Sequence, residues 1–238
     1  TLTIVNRVKY LIEGYKVRPE EILVVTFTRF AAAEMRSRLC SLMGKERLPV
    51  TIGTFHGIYY GILRWTYRIG QKNLLSDNEK YQILRQVIRH QKLEIFDEGD
   101  FLKDIAFEIG KIKNQRIRPE EFISEKCEAA VFRQIYREYE EQRKRRRKID
   151  FDDMLVYTKE LFEQRPDILA AWQNKYRYIL IDEFQDTSRM QWENFHLLLE
   201  ESLAQKEGSL IVGDNSSSDA LAVFLDSRRV NCHCIERT

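Results

Sequence analysis

Along this chain, compact apolar runs alternate with longer stretches of helix-spaced hydrophobic residues. Four runs read as strands: "EILVVTF" (21–27), "PVTIGTF" (49–55), "YRYILID" (176–182) and "GSLIVGD" (208–214). Each is nearly continuous in apolar character, the pattern of parallel strands covered on both faces. Helical spacing fills the intervals: 30–43 with Met35, Leu39 and Leu42, then 56–66, then 187–203 with Trp192, Phe195, Leu198 and Leu199. The opening "TIVNRVKYLI" puts Ile4, Val5, Val8, Leu11 and Ile12 on one helical face. Strand and helix in alternation predict an α/β fold with an open parallel sheet flanked by helices.

Between the second and third strands lies a long stretch, roughly 68–148, that is helical throughout by pattern. Ile83, Leu84, Val87 and Ile88 share a face, as do Phe101, Ile105 and Ile109, and later Phe132, Ile135, Tyr136 and Tyr139. A helical insert of this size is expected to form its own subdomain. The sheet domain then comprises 1–67 and 149–214. The return runs through "IDFDDMLVYTKELF" (149–162), at amphipathic spacing, and "RPDILAAW", a short helix with Pro166 near its start.

Composition changes this picture little. The 238 residues are 43% hydrophobic and 32% charged, with a net charge of +2, so the totals do not announce a nucleic-acid binder. The balance hides "RKRRRK" (143–148), six consecutive cations that follow the acidic "YREYEEQ". Part of that is dipole matching at a helix C-terminus. The run is also a candidate phosphate-binding patch through Arg143, Arg145, Arg146 and Arg147. Cysteines at 40, 127, 232 and 234 make no zinc pattern and read as free thiols. No apolar run approaches membrane-spanning length and no signal peptide is visible, so a cytoplasmic protein is the expectation.

Candidate chemistry sits at the strand exits, where ligands bind in open parallel sheets. The first strand leaves through "TFTRFAAAEM", the second through "GTFHG", the third through Asp182-Glu183 and the fourth through Gly213-Asp214. Adjacent acids at a strand end can divide the work: one holds Mg²⁺, the other polarises a water. They can equally be plain helix-start acids, and Asp186 and Thr187 suit capping of the helix that follows. The glycine-rich loop G-x-x-x-x-G-K-[ST] does not occur; Gly44-Lys45 reads as the stop of the 30–43 helix.

Taken in order, the motifs resemble the first RecA-like domain of superfamily one DNA helicases of the UvrD/Rep/PcrA type. "VVTFTRFAAAEMRSRL" (24–39), "GTFHGIYYGILR" (53–64), "IDFDDML" (149–155), "ILIDEFQDTSRMQ" (179–191) and "LIVGD" (210–214) are similar to that family's segments, the fourth being its Walker B signature. The resemblance implies a P-loop NTPase using ATP and Mg²⁺ and acting on single-stranded DNA and the duplex junction. Asp182 would bind Mg²⁺, Glu183 would activate the hydrolytic water, and Gln185 and Asp186 would position or couple the site. Thr1 would be the Thr of the "GKT" motif and a Mg²⁺ ligand, its glycine-rich loop lying just upstream. Arg7 and Asp214 would belong to the nucleotide site. Thr26, Phe27, Thr28, Arg29, Thr54, Phe55 and His56 would line the DNA track or link it to ATP. From sequence alone core packing is the favoured reading of Phe27 and Phe55, and a hydrogen-bonding turn residue that of His56; the resemblance shifts all three toward the DNA track.

The pattern breaks in places. Arg29-Phe30 stand where the family has Asn-Lys, and Gly57 where Ser is usual. After Asp214 the family continues with a Gln and a Tyr, where this chain has Ser217 and Ala220. The tail 215–238 reads as degenerate or out-of-frame sequence, or as a diverged but genuine segment. The resemblance implies that this polypeptide alone, without the family's second RecA-like domain, unwinds no DNA and turns over ATP slowly. Two other readings remain open: a helicase–nuclease subunit of the AddA or RecB kind, and a non-catalytic DNA-binding or interaction module.

Overall fold

The computed structural model describes residues 2–91, 95–205, 210–213 and 233–236, without the side chains of Gln185, Glu200, 201–205, 210–213 and 233–236. The chain divides into two compact units, 1–59 with 159–238, and 60–158. The helical unit is therefore wider at each end than 68–148. Both boundaries fall within helices, those over Phe55–Tyr67 and Phe151–Gln164.

The first unit is built on a five-stranded parallel sheet in the order β2-β1-β3-β4-β5. Its strands are β1 (Ile22–Thr26), β2 (Thr51–Thr54), β3 (Tyr178–Ile181), β4 (Leu210–Gly213) and β5 (His233–Glu236). The first four lie inside the predicted segments, each shortened at both ends. β5 falls in the tail 215–238, where no strand is legible from composition. All five residues of β1 and all four of β3 are buried, as continuous apolar strands require. Helices α1 (Leu2–Glu13), α2 (Arg29–Met43), α8 (Pro166–Lys175) and α9 (Arg189–Gln205) belong to this unit, along with the start of α3 (Phe55–Tyr67) and the end of α7 (Phe151–Gln164).

One face of the sheet is covered by α1 and α2. Ile4, Val8 and Leu11 of α1 and Met35 and Leu39 of α2 pack with Ile22, Val24, Ile52 and Leu180. The alternation of the strands turns Leu23, Val25, Ile179 and Ile181 to the opposite face. The ends of α2 set the loops that matter. Thr28 caps its start, its Oγ1 accepting from the Ala31 N–H at 3.1 Å. Gly44 closes it in the left-handed conformation (φ 61°), the Lys45 N–H reaching Cys40 O at 3.0 Å. This is the helix stop expected there. Pro166 likewise starts α8 as expected.

The second unit holds α4 (Asp77–His90), α5 (Glu98–Gln115) and α6 (Ala129–Arg145) around one core: Ile83, Leu84, Val87, Ile105, Ile109, Phe132, Ile135 and Tyr139 are all fully buried. Ser76 and Glu79 form a reciprocal capping box at the start of α4. No helix among the described residues is long and apolar enough to cross a membrane.

Candidate nucleotide site and strand ends

The register of the sheet brings the expected site residues level with one another. Thr26 pairs with Thr54, and Val25 with Ile181, so Thr54, Thr26 and Asp182 end three neighbouring strands in a row. The Asp182 N–H completes the ladder by donating to Val25 O at 2.8 Å. Thr26 and Asp182 are buried, and Thr26 Oγ1 has no hydrogen-bond partner among the described residues. A buried hydroxyl left unmade costs about 1–3 kcal/mol, and a buried carboxylate costs more unless compensated.

Directly after Asp182 the chain turns sharply. Glu183 adopts a left-handed conformation (φ 52°, ψ 48°), half-buried, ahead of a 3-10 turn over Phe184–Asp186. For a residue with a Cβ this costs about 1–2 kcal/mol. Surrounding packing holds it: Phe184 is buried edge-on against Trp192 with centroids 5.0 Å apart. The next helix is not capped by Asp186 or Thr187. Ser188 and Gln191 form the box, with Ser188 N–H to Gln191 Oε1 at 3.0 Å and Gln191 N–H to Ser188 Oγ at 3.3 Å. Asp186 is exposed in the 3-10 turn, and Thr187 is buried with its hydroxyl unpartnered. Thr1 and Asp214 lie outside the described residues, as does the side chain of Gln185.

The donor set tests whether Mg²⁺ and a triphosphate suit this edge. A strand-end carboxylate, a second acid held in a strained turn and two unpartnered buried hydroxyls are hard oxygen donors of the kind Mg²⁺ takes. They fit. Arg7, half-buried on α1, has its guanidinium over the Tyr10 ring, 5.7 Å from the centroid. A groove of about 1270 Å³ opens elsewhere, at the amino end of β2, between Arg36, Cys40, Lys45 and Thr51. It holds no adjacent pair of acids, so chemistry rather than volume selects the strand ends.

The expected DNA-facing residues separate by exposure. Phe27 is 49% exposed, and Thr28 and Arg29 are also exposed, with Phe30 beside them at 79%. Thr28 and Thr54 spend their hydroxyls on helix starts, Thr54 Oγ1 accepting from Gly57 N–H at 3.1 Å. His56 is half-buried at the same turn. Phe55 needs correcting: its ring is buried edge-on against Phe195, 5.2 Å between centroids, leaving no face for a base. Arg143 needs the same correction, for it is interior to the helical unit. Its guanidinium reaches Glu140 Oε2 at 2.6 Å, Asp153 Oδ2 at 2.7 Å and the Lys148 carbonyl at 2.7 Å. The exposed cations of the run are Lys144, Arg145, Arg146 and Arg147.

Arg143 belongs to a buried ionic cluster that sequence reading passes over. Lys113 Nζ sits 2.8 Å from each of Glu140 Oε1, Asp150 Oδ2 and Asp153 Oδ1, and the Tyr139 hydroxyl donates to Asp150 at 2.9 Å. Asp150 and Asp153 also cap α7 reciprocally through each other's N–H. Burial is the largest influence on Asp150 and works against its charge, but the Lys113 and Lys80 ammoniums and the hydrogen bonds from Lys113 and the Asp153 N–H together outweigh it and hold that carboxyl below its ordinary range. The three acids lie within metal-ligand reach of one another, yet Lys113 already fills the space between them. The signal for this cluster was a lone Lys on the apolar face of "EIGKIKNQ" and the paired acids of "IDFDDML".

Comparison with known proteins follows the same line. The model of the UvrD/REP helicase N-terminal domain matches residues 1–218. The ATP-dependent DNA helicase PcrA of Staphylococcus epidermidis is 32% identical over 227 residues, covering 92% of this chain and 30% of that protein. PcrA of Bacillus subtilis is 31% identical over the same shares, and the putative ATP-dependent DNA helicase YjcD of B. subtilis is 35% identical, covering 92% and 29%. The chain thus spans about 30% of the length of the curated relatives it matches. With a matching model over most of its length and a sheet whose strand ends carry the motifs in order, this chain belongs to the UvrD/REP helicase N-terminal domain family.

Proposed function

We propose that the sheet unit is a RecA-like ATP-binding domain and that the helical unit is its insert. Together they serve an ATP-dependent DNA helicase that moves along single-stranded DNA in the cytoplasm. The observation that carries this reading is the row Thr54, Thr26, Asp182 with the strained Glu183 directly after it. When bound, Mg²⁺ supplies charge neutralisation on the phosphates. Asp182 and Thr1 hold that ion, Glu183 orients and deprotonates the attacking water, and Gln185 couples the site to DNA. Asp214 and Arg7 complete the nucleotide side. Phe27 and Arg29 face the DNA strand, with Thr26, Thr28, Thr54 and His56 shaping the turns that present them. Arg145, Arg146 and Arg147 take phosphates. As a polypeptide of 238 residues, it is proposed to turn over ATP slowly.

Limited proteolysis with and without Mg–ATP tests the reading. Protection of the Asp182–Thr187 turn by Mg–ATP, lost in Asp182→Asn, is the expected result. Identical cleavage in both conditions would sink it and favour a non-catalytic module.

A further inference from the structure

The segment that follows α3 pairs with the segment that follows α6 on the surface of the helical unit, and both helix ends carry cations. The last turn of α3 reads Arg64, Trp65, Thr66, Tyr67, and Arg68 follows it. Trp65 is 63% exposed and Tyr67 55%, and Arg64, Arg68 and Lys72 are exposed. Arg64 and Tyr67, at i, i+3 spacing, share one face of this helix end, and Arg68 directly follows Tyr67. From there the chain runs against the segment that follows α6. Asn73 Nδ2 donates to Arg147 O at 3.0 Å, Ile149 N–H to Asn73 O at 2.7 Å, and Leu75 N–H to Ile149 O at 2.8 Å. Lys72 therefore lies next in chain to the residue that grips Arg147. Lys72 is five positions on from Tyr67, a reach of at most about 18 Å.

Two details set this surface apart from ordinary helix ends. Cations at helix C-termini are favourable for the dipole alone, but that does not call for exposed Trp and Tyr. Arg68 and Arg147 also both sit in the left-handed conformation, at φ 55° and 53°. Glycine is the usual residue there, yet the chain keeps a long cationic side chain at both. Neither is ion-paired among the described residues.

We propose that this surface binds single-stranded nucleic acid, Trp65 and Tyr67 stacking on unpaired bases while Arg68, Lys72 and Arg147 hold the phosphates. Aromatic platforms interleaved with cations suit an unpaired strand, because a duplex keeps its base faces stacked inside. The inference rests on the reading that this chain works on DNA, and it adds a contact surface separate from the strand ends.

The test uses the full chain and a fluorescein-labelled oligo(dT), with anisotropy read across a salt series. Trp65→Ala/Tyr67→Ala is expected to weaken binding by roughly 5-fold to 100-fold with the salt slope intact, and Trp65→Phe/Tyr67→Phe to restore it. Arg68→Gly/Arg147→Gly is expected to raise the melting temperature, since both strained residues relax, yet weaken binding and reduce the salt slope by about 1.4. Unchanged binding in the ring variant overturns the proposal, as does stronger competition by blunt duplex than by unlabelled oligo(dT). Absence of any oligo(dT) binding overturns it too, while leaving the Mg–ATP protection experiment to decide the nucleotide reading. Phe27→Ala/Phe30→Ala separates the two surfaces: if that variant alone loses affinity, this surface is refuted and the strand ends stand.

Discussion

Replacing Lys113 by Met removes one ammonium from the centre of the helical unit and keeps the stem's volume. Lys113 Nζ touches three carboxylates at 2.8 Å, and its side chain is 5% exposed. Without it, buried Glu140, Asp150 and Asp153 keep Arg143 as their close partner, with Lys144 3.8 Å from Glu140, and the cluster is left with an excess of acidic groups. Removing one partner from such a buried arrangement costs about 3–5 kcal/mol. For a unit of this size each kcal/mol lowers the melting temperature by roughly 4–8 °C, so the loss is on the order of 12–40 °C. Thermal unfolding by circular dichroism, with hydrogen exchange in α5, α6 and α7, reads it directly. The pH dependence identifies the cause. Asp150 has its folded pKa held below the ordinary 3.8. Its stabilisation is therefore complete above that value and fades as pH falls through the folded pKa. Lys113→Met lacks the Lys113 share of that contribution at every pH, and Asp153, already pushed up to about 7 chiefly by burial, loses the ammonium that lowers it, so the gap between the two proteins is full at neutral pH and narrows as the acids protonate. A variant melting within about 1 kcal/mol of the parent at neutral pH, or a gap that widens in acid, would refute the reasoning.

Other expectations follow from the same geometry. Glu183→Gly relaxes a left-handed residue and is expected to stabilise the sheet unit by about 1 kcal/mol in urea melts while abolishing ATP turnover. Lys148 and the Ser76 N–H depress the Glu79 pKa from its ordinary 4.5 to about 2. Its stabilisation of the α4 start is thus complete above the higher value and lost as pH falls through the lower one. Amide exchange at the first turn of α4 should accelerate across that window in the parent and show no such step in Glu79→Gln. Ser188→Ala removes the cap of α9 and is expected to cost about 1 kcal/mol, whereas Asp186→Ala, exposed in the 3-10 turn, should cost less than half of that.

How much of this was legible in the sequence depends on the kind of signal. Hydrophobic periodicity is local, so it located β1, α2 and the α4 core face to within a residue or two. Glycine and proline chemistry is also local, and Gly44 and Pro166 read correctly. Burial is decided by tertiary packing, which is why the resemblance could assign Phe55 to the DNA track although its apolar character favours the core, where it meets Phe195. The same limit hid Arg143 inside a run of six cations: helical rotation turns one of them inward while its neighbours stay wet. The Lys113 cluster joins residues up to 40 positions apart, a distance no spacing rule spans. At the α9 start, Asp186 and Thr187 satisfied the composition of a cap, but the 3-10 turn over 184–186 moves the first helical residue on and gives the role to Ser188.

The central claim is that Asp182 and Glu183 face a metal–nucleotide, with Glu183 acting on water. The most direct measurement is DNA-stimulated ATP turnover and Mg–ATP affinity of Glu183→Gln, made in the protein as its gene encodes it. Turnover should fall by about 100-fold or more while Mg–ATP affinity stays within about 3-fold of the parent. Turnover at the parent rate, with the side chain's charge gone, would contradict the account.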